Sequence, residues 1–298
     1  MINVPVFIFH KGYADYLPYV ISCAKSYGNS VVLAGNNENC HLDGVEWIDA
    51  DKYIPLEYND FISVFKQYSA YTYLFDTICF QRYFIMRQYM KVHNIDKIFF
   101  LDSDALLYVD VSEFYSKADC GVSLSIPHNQ ENYGWSACGH CSFWTREYLD
   151  DFLNYVYELY KNDQSLLKEK WEYHQANKLP GGVCDMTLLY LWSKTKDKVY
   201  NNALVHENAV FDNCVAIKDN YFKDEYLFNS VLRIKRICYQ NNEPYFVNSS
   251  GELVKANLIH CSGAAKSLIG NIYSKNYLSA IWMRYFDYAK RAVRKLVK

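Results

Sequence analysis

Short apolar runs and amphipathic stretches alternate along the first two thirds of the chain. Continuous apolar runs predict buried strands, and apolar residues spaced three or four apart predict helices. The predicted strands lie at residues 4–9, 31–34, 45–49, 97–101 and 121–126, and the predicted helices at 16–27, 76–92, 147–160 and 184–193. A strand, a helix and a second strand at the start indicate a βαβ unit, so we predict an α/β fold built on parallel strands.

The first two strands both end in polar, turn-forming residues. His10-Lys11-Gly12 follows the first strand, and Gly35-Asn36-Asn37 follows the second. Ligands of open α/β sheets bind outside the carboxyl ends of the strands. We therefore expect His10 and Asn36 or Asn37 near a bound nucleotide, although turn chemistry explains the asparagines equally well.

The strand at 97–101 ends abruptly in Asp102-Ser103-Asp104. It follows a helix that we expect to begin at Asp76, a favourable N-cap residue. Where the chain turns at the end of a buried strand, Asp102 and Asp104 are able to converge on one divalent cation. The alternative is that one of them caps a helix or forms an Asx-turn, because two aspartates flanking a serine are common.

Composition and charge exclude several classes of function. The chain has 298 residues and a formal net charge of −2, without the basic stripe that nucleic-acid binding requires. We find no secretory signal at the amino terminus and no apolar run of the ~18 residues that span a bilayer. Ten scattered cysteines without an export signal predict reduced thiols and a cytoplasmic location.

Cys138-Gly139-His140-Cys141 has the spacing of a disulfide-exchange motif. Such a motif needs an early βαβ setting, with the first thiolate at the start of a helix. Here it lies in mid-chain, and no amphipathic helix follows it. We therefore expect no redox activity, and the lack of a second cysteine or histidine pair argues against a zinc site.

Residues 274–298 differ from the rest of the chain. Ser274 is a candidate cap for a helix with one apolar stripe, and the other face is rich in cations: Lys275, Arg284, Lys290, Arg291, Arg294, Lys295 and Lys298. This pattern is typical of a helix that lies on an anionic membrane surface. A terminal helix that packs on the domain and exposes a basic face explains the same pattern.

Three stretches resemble the Asp-X-Asp glycosyltransferases of the GT-A fold, in particular the glycogenin-like and bacterial lipopolysaccharide galactosyltransferase family. Phe80-Gln81-Arg82-Tyr83 followed by residues 97–104 resembles the family's arginine-bearing helix and metal-binding strand. His260 to Lys266 matches its His-X-X-Gly-X-X-Lys element. Residues 182–189 resemble the start of a helix that faces donor and acceptor sugars. The resemblance is one of motifs, and Ser267-Leu268 departs from the Pro-Trp that commonly follows the lysine.

The resemblance implies a role for each matching residue. Asp102, Asp104 and His260 would bind Mn²⁺ or Mg²⁺, with Asp102 also near the ribose of the donor. Lys266 would contact the diphosphate, and Arg82 would lie in the donor site. Carboxylates with one imidazole suit manganese, and a flexible ammonium suits a phosphate.

Asp185 is our candidate catalytic residue, and it lies in the stretch that resembles the family's sugar-facing helix. In an inverting enzyme it would be the base that deprotonates the acceptor hydroxyl, whereas in a retaining enzyme it would position the sugars. Its third interpretation is purely structural, because an acid at the start of a helix is favoured by the helix dipole.

The implied architecture is a GT-A, Rossmann-like mixed sheet with flanking helices over residues 1–270, followed by the basic helix over 271–298. Residues 1–110 would form the nucleotide-binding half, and residues 111–270 the half that binds the acceptor and completes the metal site. The implied activity is transfer of a hexose from a nucleotide-diphosphate sugar, by resemblance a UDP-sugar, to a bacterial surface glycan such as lipopolysaccharide or capsule. A lipid-linked acceptor would place the enzyme peripherally on the cytoplasmic membrane face.

Two other functions stay open on the sequence alone. A sugar nucleotidyltransferase shares the fold class and the metal, but we would expect a glycine-rich segment after its first strand to hold a triphosphate. A carbohydrate-binding module without catalysis would not need two aspartates, His260 and Lys266 together.

Overall fold

The computed structural model describes residues 3–277, 279 and 281. Contacts divide the chain into two compact units. The first comprises Asn29–Asp102, Asp110–Ala203 and the initial residues up to Tyr13; the second comprises Ala14–Gly28, Ser103–Val109 and the chain from Leu204 onward.

Fourteen strands and eight helices are assigned within the described residues. The strands are β1 Val6–Phe9, β2 Val31–Gly35, β3 Glu46–Asp49, β4 Lys97–Leu101, β5 Ala105–Leu107, β6 Val122–Leu124, β7 Cys141–Thr145, β8 Val199–Asn201, β9 Ala209–Phe211, β10 Phe228–Asn229, β11 Ile234–Lys235, β12 Ile237–Gln240, β13 Glu243–Val247 and β14 Leu253–His260. The helices are α1 Leu17–Ser26, α2 Leu56–Val64, α3 Tyr73–Val92, α4 Val111–Lys117, α5 Arg146–Asn162, α6 Ser165–Ala176, α7 Asp185–Ser193 and α8 Ile269–Tyr273.

The first unit contains a seven-stranded mixed sheet in the order β3-β2-β1-β4-β7-β6-β8. Strand β7 is antiparallel to both of its neighbours, β4 and β6, and the other pairs in the sheet are parallel. This mixed sheet flanked by helices is the α/β architecture that the sequence analysis predicts. Strand β4 lies in the middle of the sheet, which explains why residues 98–101 are apolar and buried throughout.

The second unit contains a smaller sheet in the order β12-β13-β14-β5, with β9 parallel to β14. Strand β14 ends at His260, which pairs with Ala105 of β5. Sheet register therefore fixes residue 260 opposite Ala105, the residue that directly follows the Asp-X-Asp segment.

The aromatic core of the first unit fixes helix α3. Trp144 of β7 and Trp192 of α7 stack with ring centroids 5.5 Å apart, and Phe152 of α5 lies 5.3 Å from Trp192. Tyr83 of α3 contacts Phe152 at 5.4 Å. Because interiors are close-packed, this cluster fixes the position of Tyr83 and with it that of its neighbour on α3, Arg82.

The nine strands and helices predicted from the sequence pattern over residues 4–193 are all present, with ends shifted by a few residues. One detail was wrong: α3 begins at Tyr73, and its N-cap is Thr72, whose side chain accepts a hydrogen bond from the amide of Phe75. Asp76 lies inside the helix, where its carboxylate accepts hydrogen bonds from Ser69 and Gln67 and does not cap.

Two sequence expectations concern the membrane. The predicted basic helix over 274–298 falls outside the described residues, apart from 274–277, 279 and 281. Among the described helices, none combines the length and the apolar character that crossing a bilayer requires.

Candidate functional site

Three neighbouring parallel strands of the large sheet end at one edge. Ile8 of β1 pairs with Leu101 of β4, and Phe9 pairs with Ala34 of β2. His10, Asn36 and Asp102 follow these strands directly, so the register places them along the same edge. The structure therefore brings the two predicted nucleotide-contact residues to the strand ends that neighbour the Asp-X-Asp segment.

A buried asparagine that the sequence analysis missed, Asn39, joins the loops after β1 and β2. Its side-chain nitrogen donates to the carbonyls of His10 and Gly12 at 2.7 and 2.9 Å. Its side-chain oxygen accepts from the amide of Asn36 at 3.2 Å and from the indole of Trp47 at 3.1 Å. With its amide group used on both sides, Asn39 sets the positions of both loops.

Arg82 of α3 links two carboxylates. Its Nη1 lies 3.0 Å from Asp102 Oδ1, and its Nη2 lies 2.5 Å from Asp185 Oδ2. The guanidinium is packed over the rings of Tyr83 and Phe100, at 5.0 and 4.9 Å from the ring centroids. The predicted donor-site arginine and the candidate catalytic aspartate thus belong to one ion-pair network.

Burial alone would lower the pKa of Arg82, but Tyr83 and the carboxylates of Asp185 and Asp102 raise it well above its usual value. The guanidinium therefore stays charged.

Asp185 is the first residue of α7, where the positive end of the helix dipole favours an acid. The Tyr83 hydroxyl donates to the same Asp185 oxygen at 3.5 Å. Gly139 makes room for this hydroxyl, because a Cβ at residue 139 would lie 2.4 Å from the Tyr83 oxygen.

A second group of predicted residues surrounds Asp104, whose side chain is only 8% exposed. Its Oδ1 lies 3.3 Å from Nε2 of His260, and its Oδ2 lies 3.1 Å from Nζ of Lys266. Burial alone would raise the pKa of Asp104, but the hydrogen bonds and charges of His260 and Lys266 hold it well below its usual range. Asp104 is thus an ionised carboxylate in a protected position.

The orientation of the His260 ring follows from one hydrogen bond. Nδ1 lies 2.6 Å from the backbone carbonyl oxygen of Asn213. A carbonyl can only accept, so Nδ1 carries the proton, and in the neutral ring Nε2 presents its lone pair toward Asp104. A lone pair that faces a carboxylate oxygen needs a cation between them or a second proton on the ring. A hydrogen bond from Nδ1 to a backbone carbonyl is typical of histidines that bind metals through Nε2.

Asp102, two residues before Asp104, contributes the third candidate ligand. One ligand atom each from Asp102, Asp104 and His260 lie within 4.8 Å of one another. Two carboxylates and a neutral imidazole form a donor set that suits Mn²⁺, and carboxylates are also the ligands of Mg²⁺. The residues present therefore fit the divalent cation that the sequence implies.

Lys266 lies in a 3₁₀ turn, Gly263–Leu268, directly after β14. Gly263 has a φ of +58°, a left-handed conformation that favours glycine, and its Cβ position faces open space. The Lys266 side chain is 44% exposed. An ammonium in this setting can reach an anionic ligand as well as Asp104.

The segment that orients His260 is anchored by a buried ion pair. Asp212, fully buried, lies 2.8 Å from Nζ of Lys235, whose side chain is 2% exposed. The other oxygen of Asp212 accepts from the amide of His260 at 3.3 Å. Lys235 is sandwiched by Tyr226 and Phe246, at 3.8 and 4.7 Å from their ring centroids. Asp212 therefore ties the end of β9 to the end of β14 and holds the Asn213 carbonyl in place.

The sequence analysis named Asp102, Asp104, His260 and Lys266 but missed Asp212, Asn213 and Lys235. A signal for the first two was present: Asp212-Asn213 follows the apolar strand Ala209–Phe211, as Asp102 follows β4. Lys235 gave no signal, because its burial depends on the rings that cover it.

The Cys138–Cys141 motif has a structural setting unlike that of a redox site. Cys141 is the first residue of strand β7 and is fully buried. The two cysteines are not joined by a disulfide. The spacing thus occurs at the start of a strand, whereas a disulfide-exchange motif places its first thiol at the start of a helix.

No protein-family model matches the chain, and no curated protein matches it. Several solved structures match it at low sequence identity. Mouse xyloside xylosyltransferase 1 is 11% identical, over 67% of this chain and 84% of that one, with a TM-score of 0.47. The bifunctional glycosyltransferase WbbM is 13% identical over 95% of this chain and 51% of its own length, with a TM-score of 0.48. The galactosyltransferase LgtC is 13% identical over 66% of this chain and 73% of that one, with a TM-score of 0.36.

The ligand set predicts how metal affinity responds to substitution. Asp104→Asn and His260→Ala should each weaken Mn²⁺ binding by at least about tenfold, because each removes one ligand. Isothermal titration calorimetry measures this directly. Asp119→Asn is the matched control, since Asp119 is 86% exposed and pairs with Lys198. Unchanged affinity in both site variants would exclude the proposed ligands.

The buried Asp212–Lys235 pair predicts a stability effect. Lys235→Met should lower the free energy of unfolding by about 3–5 kcal/mol, because it leaves a buried carboxylate without its counter-ion. Adding Asp212→Asn should restore part of the loss. Urea denaturation provides the measurement, with Lys198→Met as the control because its partner Asp119 is exposed. A Lys235→Met protein as stable as the wild type would contradict the role given to this pair.

Proposed function

We propose that this protein is a metal-dependent glycosyltransferase that moves a hexose from a nucleotide-diphosphate sugar to a hydroxyl group. A UDP-sugar is the donor and a bacterial surface glycan, such as lipopolysaccharide or capsule, is the acceptor, both by the family resemblance. The GT-A-like mixed sheet supports glycosyl transfer in general. The finer assignments rest on the residues of the site.

One observation carries the proposal: Asp102, Asp104 and His260 present a carboxylate–carboxylate–imidazole set, and the His260 tautomer directs Nε2 at Asp104. A carbohydrate-binding module without catalysis would not need this set together with Lys266. These three residues would hold Mn²⁺ or Mg²⁺. The ion, when bound, supplies a Lewis acid that neutralises charge on the diphosphate leaving group.

Lys266 is the residue that would contact the diphosphate. Its side chain is 44% exposed and its Nζ lies 3.1 Å from Asp104, so it adds positive charge beside the carboxylates. Charge that develops on the departing phosphate is stabilised by a positioned cation of this kind. His10 and Asn36, at the ends of β1 and β2, would contact the nucleoside, with Asn39 holding their loops.

Arg82 and Asp185 would face the sugars. Arg82 fixes Asp102 on one side and Asp185 on the other, so that the donor-site carboxylate and the candidate catalytic carboxylate keep a set separation. Asp185 Oδ2 already accepts from Arg82 and Tyr83. These contacts hold the Asp185 carboxylate in place, as a role in positioning the sugars requires.

The carboxyl-terminal helix predicted at 274–298 would place the enzyme on the cytoplasmic face of the membrane. Its seven cationic residues would attract anionic lipid headgroups, and the apolar stripe would enter the interface. A lipid-linked acceptor glycan is presented at that surface. The location is therefore part of the proposal.

The test is a screen of nucleotide-sugars for metal-dependent hydrolysis, which needs no knowledge of the acceptor. We expect release of a nucleoside diphosphate from one UDP-hexose in the presence of Mn²⁺ and none after chelation. Asp104→Asn should lower kcat/KM by about a hundredfold or more, as expected when a charge-stabilising group is removed. Activity that persists in this variant would contradict the metal assignment.

Asp119→Asn again serves as the matched control and should retain wild-type activity. Release of pyrophosphate from a nucleoside triphosphate and a sugar phosphate would instead identify a sugar nucleotidyltransferase. Sugar binding without turnover of any donor would identify a carbohydrate-binding protein.

A further inference from the structure

A run of exposed apolar side chains, the aromatic patch Tyr71–Phe75, lies at the start of helix α3 in the first unit. Tyr71 and Tyr73 are each 48% exposed, Leu74 is 73% exposed, and Phe75 is 51% exposed. Large apolar side chains that are exposed side by side mark binding surfaces. The residues given a role in the transfer reaction so far all lie outside this patch.

The rings of Tyr71 and Phe75 form a pair within the patch. Their centroids are 5.1 Å apart and their planes are inclined by 46°. The ring of Tyr73 packs instead against Phe65, at 5.6 Å. Tyr71 and Phe75 therefore present a half-exposed aromatic surface of their own.

Hydrogen bonds hold the backbone beneath these rings. The Ser69 hydroxyl donates to the buried Asp76 carboxylate at 2.5 Å and accepts from the amide of Tyr71 at 3.1 Å. The Gln67 side chain donates to the Tyr71 carbonyl and to Asp76. Thr72 caps the helix. The surface is thus ordered before a ligand arrives, which lowers the entropic cost of binding.

Phe75 lies on the face of α3 that leads to the candidate catalytic site. Residues 75, 79 and 82 follow the spacing of a single helix face. At 1.5 Å per residue, Arg82 lies about 10 Å further along the helix axis than Phe75. Arg82 is the residue that pairs with Asp185. The aromatic pair is therefore in line with the sugar-positioning residues.

Tyr71 is joined to the same site through the loop before α7. The amide of its neighbour Ala70 donates to the carbonyl of Gly181 at 2.9 Å. The Tyr71 hydroxyl lies 3.7 Å from the position that a Cβ at Gly181 would occupy. Burial raises the pKa of Tyr71, and the nearby Cys184, the residue before Asp185, adds to the rise. The Tyr71 hydroxyl thus lies toward the start of α7.

The patch is uncharged, which bears on the class of ligand. The acid beneath it, Asp76, is only 1% exposed, and burial raises its pKa. Residues 71–75 include no cation that would hold a phosphate or a carboxylate. Half-exposed aromatic rings suit a neutral ligand with an apolar face, and the C–H face of a sugar ring is such a face.

We propose that Tyr71 and Phe75 stack against a neutral pyranose ring of the acceptor glycan. This is a second ring, beyond the sugar that receives the hexose, because about 10 Å of helix between Phe75 and Arg82 is longer than one pyranose ring. The acceptor is then an oligosaccharide or a longer glycan chain. The inference rests on the proposed glycosyl transfer and narrows its acceptor.

The experiment is saturation-transfer NMR on the full chain with cellobiose, a neutral disaccharide, in the absence of donor and metal. Ring C–H protons of cellobiose should show saturable transfer, and the linear polyol sorbitol should show none. Phe75→Leu keeps an apolar side chain but removes the ring face, so cellobiose affinity should fall about three- to tenfold, the range for one aromatic contact. Phe75→Tyr keeps the ring and should retain the affinity.

Leu74→Ser is the matched control, because Leu74 is exposed beside Phe75 but lies on another face of α3. Its cellobiose affinity should stay within about twofold of the wild type, since it removes no aromatic contact. If Phe75→Leu fails to fold by circular dichroism, Tyr71→Leu carries the same expectation and decides.

Several outcomes would overturn the proposal. These are the absence of saturable cellobiose binding, an equal signal from sorbitol, and cellobiose binding that Phe75→Leu leaves unchanged. Displacement of cellobiose by uridine would assign the rings to a nucleobase. Co-sedimentation with phosphatidylcholine vesicles that Leu74→Ser abolishes would assign the patch to a lipid surface. Donor hydrolysis is measured without any acceptor, so a failure of this proposal and a failure of the proposed transfer reaction are told apart.

Discussion

The buried carboxylate of Asp104 is the constraint on which the candidate site depends. A carboxylate this far from water stays ionised only where cations or donors surround it. His260 and Lys266 meet that need, and both are supplied by one short segment at the end of β14. The sheet register that pairs His260 with Ala105 is what brings this segment to Asp104. The same negative charge that requires His260 and Lys266 makes the position suitable for a divalent ion.

Further charged contacts hold the residues around this site. In the first unit Arg82 joins Asp102 to Asp185, and in the second unit Lys235 holds Asp212 beside the amide of His260. Each cation is packed against aromatic rings, which removes water and strengthens the ion pair. Buried ion pairs of this type stabilise little overall, but breaking one is expensive. They therefore fix geometry, which a metal site and a transfer reaction both need.

Much of the fold of the first unit was predictable because its signals are local. The apolar run of β4 and its abrupt end at Asp102 follow from burial on both faces of a sheet and from the exposed edge beyond it. The helical periodicity of α5 and of α7 was equally readable. The N-cap of α3 was not predictable, because Thr72 and Asp76 are both good caps. The choice depends on Ser69 and Gln67, whose side chains donate hydrogen bonds to the Asp76 carboxylate, while Thr72 caps the helix.

The candidate site was predictable only where a resemblance joined distant residues. Asp102, Asp104, His260 and Lys266 were named because their motifs match a known pattern across more than a hundred intervening residues. Asn39 and Lys235 were not predicted, because an asparagine in a turn and a lysine in a strand are ordinary until the structure shows that they are buried.

The most direct test of the central claim is a crystal structure of the protein with Mn²⁺ and UDP, examined by anomalous scattering at the manganese edge. We predict one peak bound by carboxylate oxygens of Asp102 and Asp104 and by Nε2 of His260, with the diphosphate completing its coordination. A peak located elsewhere, or a well-ordered UDP with no metal at these three residues, would contradict the account.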